Sequence, residues 1–330
     1  MGHRMNRRSF NLLLGGTLLL VSAPIRAQKG KPRIALPFPG SEQGGAGAYL
    51  IEALKQGMRE QGYPDGSVVY DVRYADGQIP VLEQIVAELA ASNPDAIVVV
   101  GPPLVRAALK VTRTIPIVMA NVSDPVGNKF IDSLARPGGN VTGIATLYET
   151  LLPKIAETLH ALVPSASRVA VLLNENSPST AAFWQSAETA LRTLGKTPVR
   201  MNAATEAQIV EAFERMRASG VQATVVVADI AFVTFRDRIA TLAQAARIPA
   251  AYALREHVAA GGLVSYGPSL SGNYRASARY VAQILKGVKP VDLPVEQPTK
   301  FELVINRKTA ESLGLKIPRE VLIHAEEVIQ

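Results

Sequence analysis

Residues 81–100 read VLEQIVAELAASNPDAIVVV, and two periodicities meet in that stretch. Leu82, Ile85, Val86 and Leu89 recur at i, i+3, i+4 and i+7, so one face of a helix is apolar and packs on a sheet. Asn93-Pro94-Asp95 ends the helix, because the residue before a proline is pushed out of the helical region. Ala96-Ile97-Val98-Val99-Val100 then offers no polar position, as expected of a strand covered by helices on both faces. A helix, a turn and a fully apolar strand in this order mark βαβ units and a parallel sheet.

The same alternation extends in both directions. Strands are expected at 33–36, 68–74 and 117–119, with a helix at 49–61. A second series begins near Tyr148, with strands at 169–173, 199–202, 223–227 and 263–266. Between the second and third of these, Ile209, Val210, Phe213 and Met216 line one helix face. The duplication is architectural, without a fixed-period repeat. Pro/Gly punctuation at 135–140 and 290–294 reads as crossings or turns, and a helix is expected at 271–285 between them. If that helix returns to the first half, the chain crosses between halves three times; periodicity does not decide this. A chain of 330 residues with 48% hydrophobic content has material for two domains of ordinary size.

Met1 to Ala27 contains Arg4, Arg7, Arg8 and Arg26, no acid, and an apolar run at 12–23. That is the layout of a signal peptide, and a run of about 12 residues is short of the roughly 20 that span a bilayer. Asn6-Arg7-Arg8-Ser9-Phe10 resembles a twin-arginine export signal. Cleavage is expected after Ala27, with the mature protein in the periplasm. Removing the four arginines takes the net charge from +7 to +3, too mild to argue for nucleic acid. There is no cysteine, which excludes disulfides, a thiol nucleophile and a lipid-bearing cysteine.

In parallel α/β sheets, ligands bind beyond the carboxyl ends of the strands. The residues there are Pro39-Gly40-Ser41, Gly101-Pro102-Pro103 and Asn121-Val122-Ser123-Asp124 in the first half. In the second they are Asn174-Glu175-Asn176, Asp229, Tyr252 and Tyr266. Such groups suit several hydrogen bonds to a small polar ligand, with Ser41, Gly101, Pro102, Ser123, Asp124, Asn174, Asn176, Asp229, Tyr252 and Tyr266 as candidates. Asp124, Asn174 and Asn176 serve equally well as caps or turn formers, and Asp229 is either an N-cap or a partner for a ligand ammonium. Gly40 to Gly47 is glycine-rich but fits no nucleotide loop, so it reads as a cleft rim and no cofactor is expected. His3, His160, His257 and His324 have no metal spacing. Glu256-His257 reads as a solvated surface pair rather than an acid/base pair, since helix neighbours diverge by about 100°. No catalytic residue is assigned.

Three stretches carry a family resemblance: 133–143 (SLARPGGNVTG), 260–268 (AGGLVSYGP) and 293–306 (LPVEQPTKFELVIN), supported by Ser123-Asp124-Pro125-Val126-Gly127. They resemble bacterial ABC-transporter substrate-binding proteins. The resemblance implies an α/β type I binding-protein fold with two doubly wound parallel-sheet lobes, a multi-segment hinge and a ligand in the cleft. The lobes would be 31–146 with 270–297, and 147–269 with 298–330. It implies a small-molecule ligand, permease partners in the inner membrane, and relatives that bind aromatic amino acids. A monomer is expected. A zwitterion would take donors from Ser41, Ser123 and backbone amides and a carboxylate from Asp229, and Tyr252 or Tyr266 would face an aromatic side chain. Members of this family often carry a threonine where this chain has Pro102, which removes a hydroxyl and an amide donor together. A periplasmic sensor subunit would use the same cleft, and an enzyme would need a nucleophile-base pair or cofactor loop that is not evident.

Overall fold

The alternation of strands and helices resolves into two sheets. The computed structural model describes residues 30–40, 42, 46–76, 78 and 81–330. The expected signal peptide at 1–27, candidate residue Ser41 and residues 43–45 of the glycine-rich rim lie outside them. The first sheet holds β1 (Arg33–Phe38), β2 (Val69–Tyr74), β3 (Ala96–Val100), β4 (Ile117–Ser123) and β5 (Val141–Thr146). All are parallel, in the order β2-β1-β3-β4-β5. Helices α1 (Ala46–Glu60), α2 (Val81–Ala91) and α3 (Gly101–Val111) connect the first four.

The second series runs α4 (Leu152–Leu162), β6 (Arg168–Leu173), α5 (Thr180–Thr193), β7 (Thr197–Asn202), α6 (Glu206–Ala218), β8 (Ala223–Val226), α7 (Ile230–Thr234), α8 (Arg236–Ala245), β9 (Ala250–Tyr252), α9 (Arg255–Ala259) and β10 (Val264–Gly267). After α10 (Leu270–Leu285) come β11 (Glu302–Asn306), α11 (Arg307–Ser312), α12 (Arg319–Ile323) and β12 (Glu327–Ile329). The sheet order is β12-β11-β10-β9-β8-β6-β7. One pairing departs from a wholly parallel sheet: β11 is antiparallel to β10. The cause is the excursion between them, since the chain leaves from the cleft end of β10 and returns to that same end.

The opening stretch folds as its periods require. Leu82, Ile85, Val86 and Leu89 are the buried face of α2, and Ala96 to Val99 are at most 1% exposed. Each large apolar side chain buried this way contributes roughly 1.5–3 kcal/mol. At the end of β3, Gly101 takes φ +74, which lets the strand turn directly into α3. Pro102 and Pro103 then occupy the first turn, where an amide proton has no intrahelical partner.

Helix α10 packs on the first sheet's side. Tyr274 stacks on Phe38 with ring centroids 5.9 Å apart, and Arg275 pairs with Glu60 at 2.5 Å. Gly57 permits the close approach of α1, because a Cβ there would overlap the Arg275 carbonyl oxygen. The segment that follows lies along β5, with Thr142 Oγ1 donating to the Leu293 carbonyl at 2.6 Å and the Glu296 amide to the Gly143 carbonyl at 3.0 Å. The chain therefore passes between the sheets three times, after β5, after β10 and between Glu296 and Glu302. No helix among the described residues is long and apolar enough to cross a membrane.

Candidate functional site

The carboxyl ends of both sheets face one cleft with room for about 330 Å³, within the range of small-ligand pockets. Its floor is a buried network at the first passage between sheets. Asn121 of β4 donates from Nδ2 to Tyr148 Oη at 2.9 Å. The Asn121 Oδ1 accepts from Thr146 Oγ1 at 2.9 Å and from Asn273 Nδ2 of α10 at 3.0 Å. These four side chains tie two of the three passages together.

Of the ten candidates, Gly101, Pro102, Ser123 and Asp229 line the cleft. Ser123 Oγ lies 3.3 Å from Ser179 Oγ across the two lobes, and a Cβ on Gly101 would come within 3.3 Å of the Ile230 side chain opposite. Asp229 caps α7: its Oδ1 accepts from the Ala231 amide at 2.9 Å and from Asn174 Nδ2 at 2.9 Å. Burial raises its carboxyl above the usual carboxylate range, opposed by hydrogen bonds from Asn174, Ala231 and Phe232. A cation in the cleft would favour the ionised form.

The remaining described candidates do not line the cavity. Asn174 stands behind Asp229 and holds its carboxylate. The Asn176 side chain is exposed, and its amide donates to Asn174 Oδ1 at 3.0 Å. Asp124, at φ +39, turns away from Ser123 and accepts from the Gly127 amide at 2.8 Å, so the chain reverses there. Tyr252 is 0% exposed behind β9, its ring stacked on His257 at 4.8 Å. Tyr266 stacks on Phe301 at 6.0 Å. Successive strand side chains point to opposite faces, so lying at a strand's carboxyl end does not aim a side chain into the cleft.

The aromatic and cationic groups of the cavity come instead from positions that pattern reading passed over. Phe38 and Tyr74 meet at 5.8 Å in the first lobe, Tyr148 rises from the floor, and Phe235 and Arg236 enter from the second lobe. Arg236 is the only cationic side chain among the described residues that line the cleft. Its side chain is 17% exposed, with Nη1 donating to the Val233 carbonyl at 3.1 Å and Nη2 lying 3.6 Å from Asp237. Phe38 and Tyr74 end β1 and β2, which was a usable signal. Arg236 sits at a helix start with no distinguishing local pattern.

The expectation of a solvated Glu256-His257 pair is corrected. Glu256 is 5% and His257 1% exposed, because α9 packs against β10 and β11. His257 Nε2 donates to the Phe232 carbonyl at 3.1 Å, and burial holds its pKa down from 6.5 to about 4. Between those values the unfolded chain binds a proton that the folded chain refuses, so stability falls as pH drops from 6.5 towards 4. The expected loss is about 3 kcal/mol in all. Glu256, whose carboxyl burial raises, works in the opposite sense. Urea unfolding of wild type and His257→Phe at pH 7 and pH 4.5 isolates the histidine, and equal pH responses in the two would refute it.

The chain matches the family described as ABC transporter substrate binding protein over residues 45–329. It is 24% identical over 260 residues to a tyrosine-binding protein of Clostridioides difficile strain R20291, covering 78% of this chain and 74% of that relative. The ABC domain from Streptococcus pneumonia, solved in complex with L-Trp, has a TM-score of 0.82 at 25% identity and covers 91% of this chain and 100% of its own. A conserved domain protein from Vibrio cholerae has a TM-score of 0.83 at 26% identity, covering 90% and 99%. The two-sheet architecture is that of type I periplasmic binding proteins.

Proposed function

This chain belongs to the ABC transporter substrate-binding protein family, and we propose from that premise that it captures an amino acid with an aromatic side chain and delivers it unchanged to a permease. The closing bodies are 31–146 with 270–297, and 147–269 with 298–330. Export by the segment at 1–27, with cleavage after Ala27, places the mature chain in the periplasm, where it acts as a monomer and without catalysis.

The observation that supports this reading is the composition of the cleft: among the described residues one cation, Arg236, and the buried carboxylate of Asp229, with Asp76 and Asp237 also in the lining, beside a wall containing Phe38, Tyr74 and Phe235. A zwitterion presents complementary charges to that pair, and an aromatic side chain fits the rings. The N-terminus of α3 is a poor carboxylate site, because Pro102 and Pro103 delete two of its four unpaired amides. The guanidinium of Arg236 is the better partner, being planar and always charged. Of the candidates named from sequence, Ser123 and Asp229 keep direct roles in this proposal, Gly101 and Pro102 shape the wall, and Asn174 supports Asp229. The aromatic role passes from Tyr252 and Tyr266 to the rings that face the cavity.

Thermal denaturation of the mature protein against amino acids, small carboxylates and sugars tests the reading. A ligand at 100 times its Kd stabilises by about 2.7 kcal/mol, a rise in midpoint of about 5 °C. L-tyrosine or L-tryptophan is expected to give that rise. A shift from sugars alone would remove the amino-acid assignment.

A further inference from the structure

Besides the ligand-facing groups, a hydrogen bond joins the lobes beside the cavity. Tyr49 of α1, in the first lobe, donates its phenol proton to Glu256 Oε1 of α9, in the second, at 2.5 Å across 207 residues of sequence. The two ends differ in setting. Tyr49 is 37% exposed, in the first turn of its helix, whereas Glu256 is 5% exposed and its Oε2 has no hydrogen-bond partner. Among the described residues, Tyr49 is the side-chain donor to this carboxyl group. Neither residue lines the cleft, so neither touches a ligand held there.

A buried carboxyl whose side-chain donor sits on the other lobe keeps that bond only while the lobes are together. When they part, that bond is exchanged for water on both sides, and a hydrogen bond to an acidic group is among the stronger kind. We propose that Tyr49 and Glu256 are positioning residues that latch the lobes shut and thereby set the affinity of the cleft for every ligand by a common factor. The latch rests on the reading that the lobes close over a ligand. Its effect follows from population: a ligand that needs the closed form binds more weakly in proportion as that form is depleted.

The test uses the full mature chain and three variants. Tyr49→Phe removes the donor and little else, and is expected to weaken L-tyrosine and L-tryptophan equally, by about tenfold. Glu256→Gln keeps an acceptor oxygen and stays within about threefold of wild type, whereas Glu256→Leu behaves like Tyr49→Phe. Combining Tyr49→Phe with Glu256→Leu adds no further loss. Small-angle scattering of the ligand-free protein reads the latch independently, with Tyr49→Phe expected to have the larger radius of gyration. Unchanged affinity together with unchanged scattering overturns the proposal, as does a loss that differs between the two ligands by more than about threefold, which marks direct ligand contact. If neither amino acid binds the wild type, the amino-acid reading fails, and the scattering comparison alone upholds or overturns the latch.

Discussion

Replacing Asp229 by asparagine is expected to weaken amino-acid binding by about 100-fold, because removing one member of a desolvated charge pair costs roughly 2–5 kcal/mol. The substitution is nearly isosteric. The asparagine Oδ1 still accepts from the Ala231 amide and from Asn174, at 2.9 Å each in the wild type, which keeps two of the three donors to this group paired. What disappears is the negative charge proposed to face the ligand ammonium. The melting temperature without ligand is therefore expected to stay within about 2 °C of wild type. Asp229→Ala differs in kind, since it also removes the cap of α7 at about 1 kcal/mol and strands the Asn174 amide. Isothermal calorimetry on both variants separates the roles: a loss below about threefold for Asp229→Asn would leave Asp229 as a cap and nothing more.

The largest expected effect on stability comes from a position with no functional group at all. Gly143 of β5 has φ +124, where an L side chain is strained by about 1–3 kcal/mol. A Cβ there would overlap the Met119 carbonyl oxygen and stand 2.6 Å from the Met119 amide nitrogen. Both are backbone atoms of the paired strand β4, which cannot move aside without breaking the ladder. Gly143→Ala is expected to cost about 4 kcal/mol and to lower the melting midpoint by about 7 °C. Gly139→Ala is the internal control, since a Cβ at that position meets nothing within 4 Å. Urea unfolding that placed Gly143→Ala within about 1 kcal/mol of Gly139→Ala would contradict the geometry.

Gly143 also shows what kind of information the sequence held. It ends the stretch 133–143, which carried the family resemblance without an apparent reason for its last glycine. The reason is a close approach to a strand some 25 residues earlier, and no local pattern reports it. Strand β5 was itself missed, because Val141 to Thr146 mixes glycine and threonine with apolar residues. The three-residue strands β9 and β12 were too short for any period to register. Helix α2 and strand β3 were legible because four residues of one apolar stripe and five uninterrupted apolar residues exceed what a loop would carry.

The site divides in the same way. Strand ends indicated where the cleft would lie, and Gly101, Pro102, Ser123 and Asp229 stand in it. Direction within the cleft was not legible: Tyr252 and Tyr266 sit at strand ends yet pack against His257 and Phe301. Glu256 and His257 looked like a solvated pair because nothing in their immediate neighbours foretells α9 wedging against β10 and β11.

By itself, then, the sequence determined the alternation of strands and helices, the family, and the end of each sheet at which a ligand would bind. These follow from short-range periodicity and from long motifs, both of which are written in consecutive residues. Only the tertiary structure decided that Arg236, Phe235, Phe38 and Tyr74 share one cavity, that Asn121 ties the passages between lobes, and that Tyr49 reaches Glu256. Those pairings join segments up to 207 residues apart, and their geometry depends on sheet order and the return of α10, which periodicity along the chain does not encode.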